Sequence, residues 1–262
     1  MAITPCLNIK LKGLEKMPRH VRGYHELCGE DKYVYYRQDD TPSGIQNTIL
    51  HEIREMMETL FTVVKPEYQP LKTSARHIAA NRFASAVLLP EEKFRDRVYE
   101  TGLDVIALSR IFSKSCSQVL LRMGEVLQSR LFFYGALYES NSSDGSEWAV
   151  TYWTGCHNED SESNIYGLDW LFPKKGRVAL PGSLVDHAVK ERRPQLVKRI
   201  TLSLNSQPGK YELAAIASPQ VRKGAEVEKV ALIVLQTRDM HLIKPQIDAL
   251  KPAITGDFHR HI

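Results

Sequence analysis

Ile49-Leu50-His51-Glu52-Ile53-Arg54-Glu55-Met56-Met57 is the stretch on which the fold of this chain turns. Apolar residues at 45, 49, 53, 56, 57 and 60 recur at helical spacing, which predicts a helix from Ile45 to Phe61. Its polar side begins as an H-E-x-x-H metal motif. In that motif two imidazoles one turn apart hold zinc, and the glutamate beside the first takes a proton from the attacking water. His51 and Glu52 stand where the pattern wants them, but Glu55 occupies the second ligand position.

The neighbouring residues extend this picture. Lys32 to Arg37 is aromatic and β-branched, which suits a strand. Asp39 to Gly44 breaks the pattern and supplies helix caps. Pro66 and Pro70 are expected to end the first helix, and a second runs from Ser74 to Leu89 before Pro90. Ile53, Met57, Leu60, Phe83, Val87 and Leu88 are the expected core between the two helices. His51, Glu55 and Glu58 project within about 60° of one another on an ideal helix, a stripe able to form a weak divalent site. The plainer alternative pairs Glu55 and Glu58 with Arg54, Arg76 or Arg82. His77 is expected on a different helix face, and Asn81 is expected to hydrogen-bond backbone in a structural role.

Beyond Gly102 the texture changes. Val105, Leu108, Ile111 and Phe112, then Val119, Leu120, Met123 and Val126, mark two short helices around Ser113-Lys114-Ser115, the spacing of a helix-turn-helix. Only Gln118 and Arg122 stand where a second helix would read DNA, so a hairpin packed on the first domain is the expected form. From Leu131 onward, strand runs at 131–138, 148–153, 200–204, 211–217 and 227–235 surround a helix opened by Pro181-Gly182-Ser183. Cys156-His157 and Glu159-Asp160 read as a flexible surface loop rather than a metal site.

Composition narrows the classes. The net charge of +4 is spread evenly, with 19 Lys and Arg against 16 Asp and Glu in residues 1–130, and 16 against 15 thereafter. A phosphate-binding protein concentrates its basic residues, so DNA is not an expected partner. Four scattered cysteines suggest neither a disulfide framework nor a zinc knuckle, and no apolar run reaches the roughly 20 residues of a membrane span. The first residues carry no signal-peptide core. A cytoplasmic protein without membrane association is expected.

His51-Glu52, followed about 30 residues on by Ala79-Ala80-Asn81-Arg82-Phe83-Ala84-Ser85-Ala86-Val87-Leu88-Leu89-Pro90, resembles the ImmA/IrrE family of zincin-type metallopeptidases. That family shows H-E-x-G-H and then E-A-N-x-F-A-x-x-L-L-x-P. Phe94, Val98, Gly102-Leu103-Asp104, Leu108, Phe112, Ser115 and Val119 continue the match, and the order of parts resembles the IrrE branch. The resemblance implies an α+β protein with a zincin-like domain (1–100), a helix-turn-helix-like segment (101–130) and a GAF-like α/β sensor domain (131–262). By the same resemblance His51 and Glu55 would be metal ligands, Glu52 the catalytic base and zinc the cofactor. Arg54 replaces the family's glycine, and Ala79 stands where its third ligand, a glutamate, belongs.

These departures favour a protease-like stress-response or transcription regulator with impaired or lost metal-dependent activity. It would act by binding a protein partner, a helix-turn-helix repressor, while the GAF-like domain answers to a small molecule. The alternatives are an active metal-dependent endopeptidase that uses His51, Glu52 and Glu55 to cleave such a repressor, and a regulator that binds DNA directly.

Overall fold

The computed structural model describes residues 3–61, 69–127, 130–142, 145–156, 172–204, 207–222 and 226–248. The chain divides into two compact units, Met1–Pro90 and Glu91–Ile262. In the first, a short helix α1 (Ile3–Cys6) precedes strands β1 (Ile9–Leu14), β2 (Gly23–Cys28) and β3 (Asp31–Arg37), then helices α2 (Pro42–Phe61) and α3 (Gln69–Leu88). The sheet order is β1-β3-β2, with β1 parallel and β2 antiparallel to the central strand. Val34 of β3 is fully buried and meets Ile9, Ile49, Ile53 and Met56, so the apolar stripe of α2 lies on this sheet. On the opposite face Tyr33 and Tyr35 stand beneath Lys12, whose ammonium lies 4.2 and 5.6 Å from their ring centres.

Both helices begin earlier than the apolar spacing predicts. Thr41 closes the start of α2, accepting at its side chain from Gly44 N (3.1 Å) and at its carbonyl from Ile45 N (2.9 Å). Pro42 then occupies the first turn, where a missing N–H costs nothing. Pro70 does the same in α3 instead of ending a helix. Gly23 sets the distance between β2 and α2: a Cβ there would lie 2.3 Å from Thr48 Cγ2 and 2.7 Å from Tyr35 O. Only glycine permits that approach.

The second unit opens with α4 (Glu91–Glu100), α5 (Val105–Phe112) and α6 (Cys116–Leu127). Five strands follow, β4 (Phe133–Ser140), β5 (Trp148–Cys156), β6 (Gln195–Leu204), β7 (Gln207–Val221) and β8 (Val227–Gln236). Helix α7 (Leu184–Glu191) precedes β6, and a 3-10 turn (Thr237–Ile243) leads into α8 (Lys244–Asp248). The sheet order is β5-β4-β8-β7-β6, antiparallel throughout. Residues 133–138 of β4 are all buried. Alternate side chains explain this: Tyr134, Ala136 and Tyr138 share a core with Leu184, Val185 and Ala188 of α7, while the other face meets α6. The molecule is therefore α+β, with a helix-rich first unit and a sheet-centred second one. Among the described residues no helix is long and apolar enough to cross a membrane.

Within the second unit the α5–α6 hairpin packs on this sheet. Asp104 caps α5 by accepting from Ile106 N (2.9 Å) and Ala107 N (3.0 Å). Ser115 and Gln118 form a reciprocal capping box at the start of α6: Gln118 N donates to Ser115 Oγ (3.2 Å) and Ser115 N to Gln118 Oε1 (3.1 Å). Arg122 is 8% exposed and pairs with Glu125 at 2.9 Å. The two side chains placed to read DNA thus cap and brace their own helix. The Cys156 side chain and His157, Glu159 and Asp160 lie outside the described residues.

Gly124 lets α6 close on β5, because a Cβ there would meet Thr154 Oγ1 at 2.5 Å. Gly124→Val is expected to lower stability by about 1–3 kcal/mol through overpacking. Urea denaturation against the parent chain measures this, and an unchanged midpoint would contradict the close contact.

Candidate metal centre

His51 and Glu55 lie four residues apart on α2, about 40° apart around the helix axis. α3 runs beside α2, and its residues His77 and Asn81 have the same spacing. The two pairs meet. His51 Nε2 lies 3.1 Å from Glu55 Oε1 and 3.2 Å from His77 Nδ1, and His77 Nδ1 lies 2.6 Å from the same carboxylate oxygen. The two imidazoles stack with ring centres 5.3 Å apart. The His51 and Glu55 side chains are 16% and 15% exposed, whereas His77 is 53% exposed at the rim.

Asn81 fixes the histidine at the centre. Its Oδ1 lies 2.9 Å from His51 Nδ1. That oxygen is placed to accept from the Nδ1–H tautomer of His51, the one whose Nε2 lone pair faces Glu55 and His77. Asn81 is therefore bonded to the His51 side chain, not to backbone as expected.

Glu52 borders the centre and is largely buried. His25, on the α2-facing side of β2, places Nδ1 2.8 Å from Glu52 Oε2. The close approach at Gly23 makes this contact geometrically available. A cleft of about 440 Å³ opens beside these groups, with His20, Arg22 and Thr48 in its wall next to His51, Glu52 and His77.

Several expectations change. His77 converges on His51 and Glu55, although its offset had suggested another face. Position 79 lies roughly 160–200° around α3 from both 81 and 77, on the opposite side from the centre. Ala79 therefore costs the centre no donor. Glu58 is not a member of the set: it pairs with Arg54 at 3.1 Å and Arg76 at 3.8 Å. His25 was not foreseen, and its contact spans 27 residues. The alternation in Gly23-Tyr24-His25-Glu26 was the signal that could have placed it on an inward strand face.

The donor set suits a divalent ion. Zinc takes imidazole nitrogen and carboxylate oxygen at about 2.0–2.2 Å, so tetrahedral donors sit roughly 3.3 Å apart. The triangle of His51, Glu55 and His77, with edges of 2.6–3.2 Å, is close to that size. A second group, His25, Glu52 and Glu55, also brings ligand atoms within 4.8 Å of one another.

Residues 6–123 match the model of the IrrE N-terminal-like domain, which takes in the centre and most of the α4–α6 region. A Mycobacterium tuberculosis transcriptional regulator is similar in structure over 95% of this chain and 73% of its own, with a TM-score of 0.55 and 13% identity. That likeness shows a shared fold. A putative GAF sensor protein from Burkholderia vietnamiensis matches 63% of this chain and 81% of its own at 18% identity and a TM-score of 0.34. Among curated proteins nothing matches the sequence.

The Asn81 contact has a spectroscopic consequence. In metal-free protein with nitrogen-15-labelled histidine, neutral His51 should carry its proton on Nδ1. Asn81→Ala should shift it towards Nε2. An Nε2–H tautomer in the parent would contradict the assigned hydrogen bond.

Proposed function

We propose that this chain is a transcription or stress-response regulator whose IrrE-like unit carries a metal-dependent peptidase site in altered ligand order. His51, Glu55 and His77 hold the ion, Glu52 is the general base, and the cleft receives an exposed segment of a protein partner. The observation that carries this reading is the convergence of two imidazoles and a carboxylate beside Glu52. The resemblance read from the sequence implies two histidines and a glutamate. Here the same three side-chain types occupy positions 51, 55 and 77, with glutamate at the motif's second histidine position and the second histidine on α3, two residues before Ala79.

Zinc held by His51, Glu55 and His77 would supply Lewis-acid polarisation of a scissile carbonyl and of an attacking water. Glu52 accepts the proton from that water and returns it to the departing amine. His25 holds the Glu52 carboxylate towards the cleft, and Asn81 holds the His51 ring. Arg22 and His20 offer hydrogen-bond donors to the carbonyls of an extended peptide. A helix-turn-helix repressor is the proposed partner.

Residues 131–262 are proposed as a GAF-like sensor. Support comes from the order of the five strands and from a cavity of about 40 Å³ beneath α7, walled by Tyr138, Arg177, Leu184 and Leu232. That volume admits a small ligand only if the wall yields. Direct DNA reading through α6 has little support, since Gln118 and Arg122 are committed within the hairpin.

A second reading, a pseudoenzyme that binds its partner without cleaving it, is favoured by the exposure of His77, which would weaken the site. The two separate experimentally. Intact, zinc-loaded protein that holds a repressor without cutting it would establish the second reading.

Ligand exchange tests the first. Glu55→His combined with His77→Glu keeps all three donors and should retain zinc affinity within about tenfold. His77→Ala should lose about 100-fold or more, since even outer-shell changes cost 10–100-fold. Ala79→Glu should have no effect. Tight zinc binding in Ala79→Glu alone, with His77→Ala silent, would return the third ligand to position 79. Glu52→Gln should keep zinc but lower hydrolysis by about 10²–10⁴-fold.

A further inference from the structure

Tyr134 and Tyr138 lie on the same face of β4, and only Tyr134 spends its hydroxyl on the fold, donating to the carbonyl oxygen of Pro173. Tyr138 is 2% exposed, and its hydroxyl has no hydrogen-bond partner among the described residues. Burial pushes its pKa above the usual tyrosine value, so the group stays a neutral donor. A buried donor left without an acceptor is costly and calls for an explanation. Tyr138 lines the cavity beneath α7, where a ligand can supply the acceptor.

We infer that this cavity binds a short-chain monocarboxylic acid with a carbonyl oxygen at its far end, that oxygen accepting from Tyr138 and the carboxylate meeting Arg177. The inference rests on residues 131–262 being a small-molecule sensor, and names the class of molecule sensed.

Each part of that description comes from a wall. Leu184 and Val185 of α7 face Val197, Ile200 and Leu232 of the sheet, so the middle of the ligand is apolar. Ser183 also lines the cavity. Its Oγ accepts from Asp186 N (3.3 Å), which leaves the hydroxyl proton as a second donor for the ligand. Arg177 is the one charged wall residue among the described residues; it is exposed at the mouth and makes no ion pair among them. Lys174 and Lys175 precede it in the same exposed turn and add positive potential there. Backbone bonds to β5 hold this wall: Gly176 N donates to Val150 O (2.8 Å), Val150 N to Arg177 O (3.0 Å) and Ala179 N to Trp148 O (2.7 Å). The start of α7 is satisfied by its own chain, with Gly182 N donating to Asp186 Oδ2 (2.7 Å), so the anion belongs at Arg177 and not at the helix.

Size sets the chain length. A volume of about 40 Å³ holds roughly three water-sized groups at 10–15 Å³ each. An acid of about five carbons puts its keto end inside and its carboxylate at the mouth, where the exposed side chains of Val178 and Leu180 can give way. A nucleotide is too large.

The test is calorimetric titration of the full chain with levulinate, a γ-keto acid of this size. Valerate, which lacks the keto oxygen, and methyl propyl ketone, which lacks the carboxylate, are titrated beside it. Levulinate should bind about tenfold more tightly than either. Tyr138→Phe should weaken levulinate about tenfold and leave valerate unchanged. The urea midpoint of that variant should equal or exceed the parent's, because an unpaired buried hydroxyl is removed. Arg177→Gln should weaken both acids and leave the ketone unchanged. Levulinate no tighter than valerate, with Tyr138→Phe silent, would overturn the inference. The ketone binding as tightly as levulinate, with Arg177→Gln silent, would overturn the acid while sparing the sensor. No saturable binding of any of the three would overturn the inference and take the cavity's support from the sensor reading as well.

Discussion

The close packing of α3 along α2 is the constraint from which the rest of the centre follows. Ala80 and Ala84 on α3 are fully buried, so little side-chain bulk holds the helices apart. The 77/81 stripe therefore reaches the 51/55 stripe at hydrogen-bond distance. Metal sites tolerate only about 0.2 Å of error in ligand position. A larger residue at 80 or 84 would thus disturb the centre without touching a ligand. Gly23 plays the matching part on the other side, where its missing side chain lets β2 bring His25 to Glu52.

The proposed exchange of donors between α2 and α3 is tolerable for a simple reason. A divalent ion responds to the chemistry and position of its donor atoms, not to which helix supplies them. Glu55 and His77 sit 2.6 Å apart, so swapping a carboxylate with an imidazole across that contact preserves the set. The exchange has one local consequence: it places a second carboxylate within reach of Glu52 and His25.

In the second unit, a sheet covered on both faces decides the role of the helical hairpin. One side of β4 is occupied by α7 and the other by α6. A helix with Val119, Leu120, Met123 and Leu127 essentially buried is scaffold for the sheet it covers. Burial likewise raises the phenol pKa values of Tyr134 and Tyr138, and pushes that of Tyr152 up to about 12. These tyrosines are neutral packing groups.

The sequence by itself determined what depends on neighbours along the chain. Helical spacing marked α2, β-branched and aromatic content marked β3, and the H-E pair with Glu55 was visible because one helical turn is a local relation. The Ser115–Gln118 capping box was equally local, though Gln118 was weighed as a base contact instead. Tertiary structure alone decided which face of α3 meets α2, and so chose His77 and Asn81 over position 79. It also decided that an unremarked strand would bring in His25. Those contacts join residues 26 to 30 positions apart, and their distances are set by the packing of alanine and glycine against neighbouring elements. A motif's spacing cannot carry that information, because a helix turns 100° per residue and a two-residue offset reverses its face.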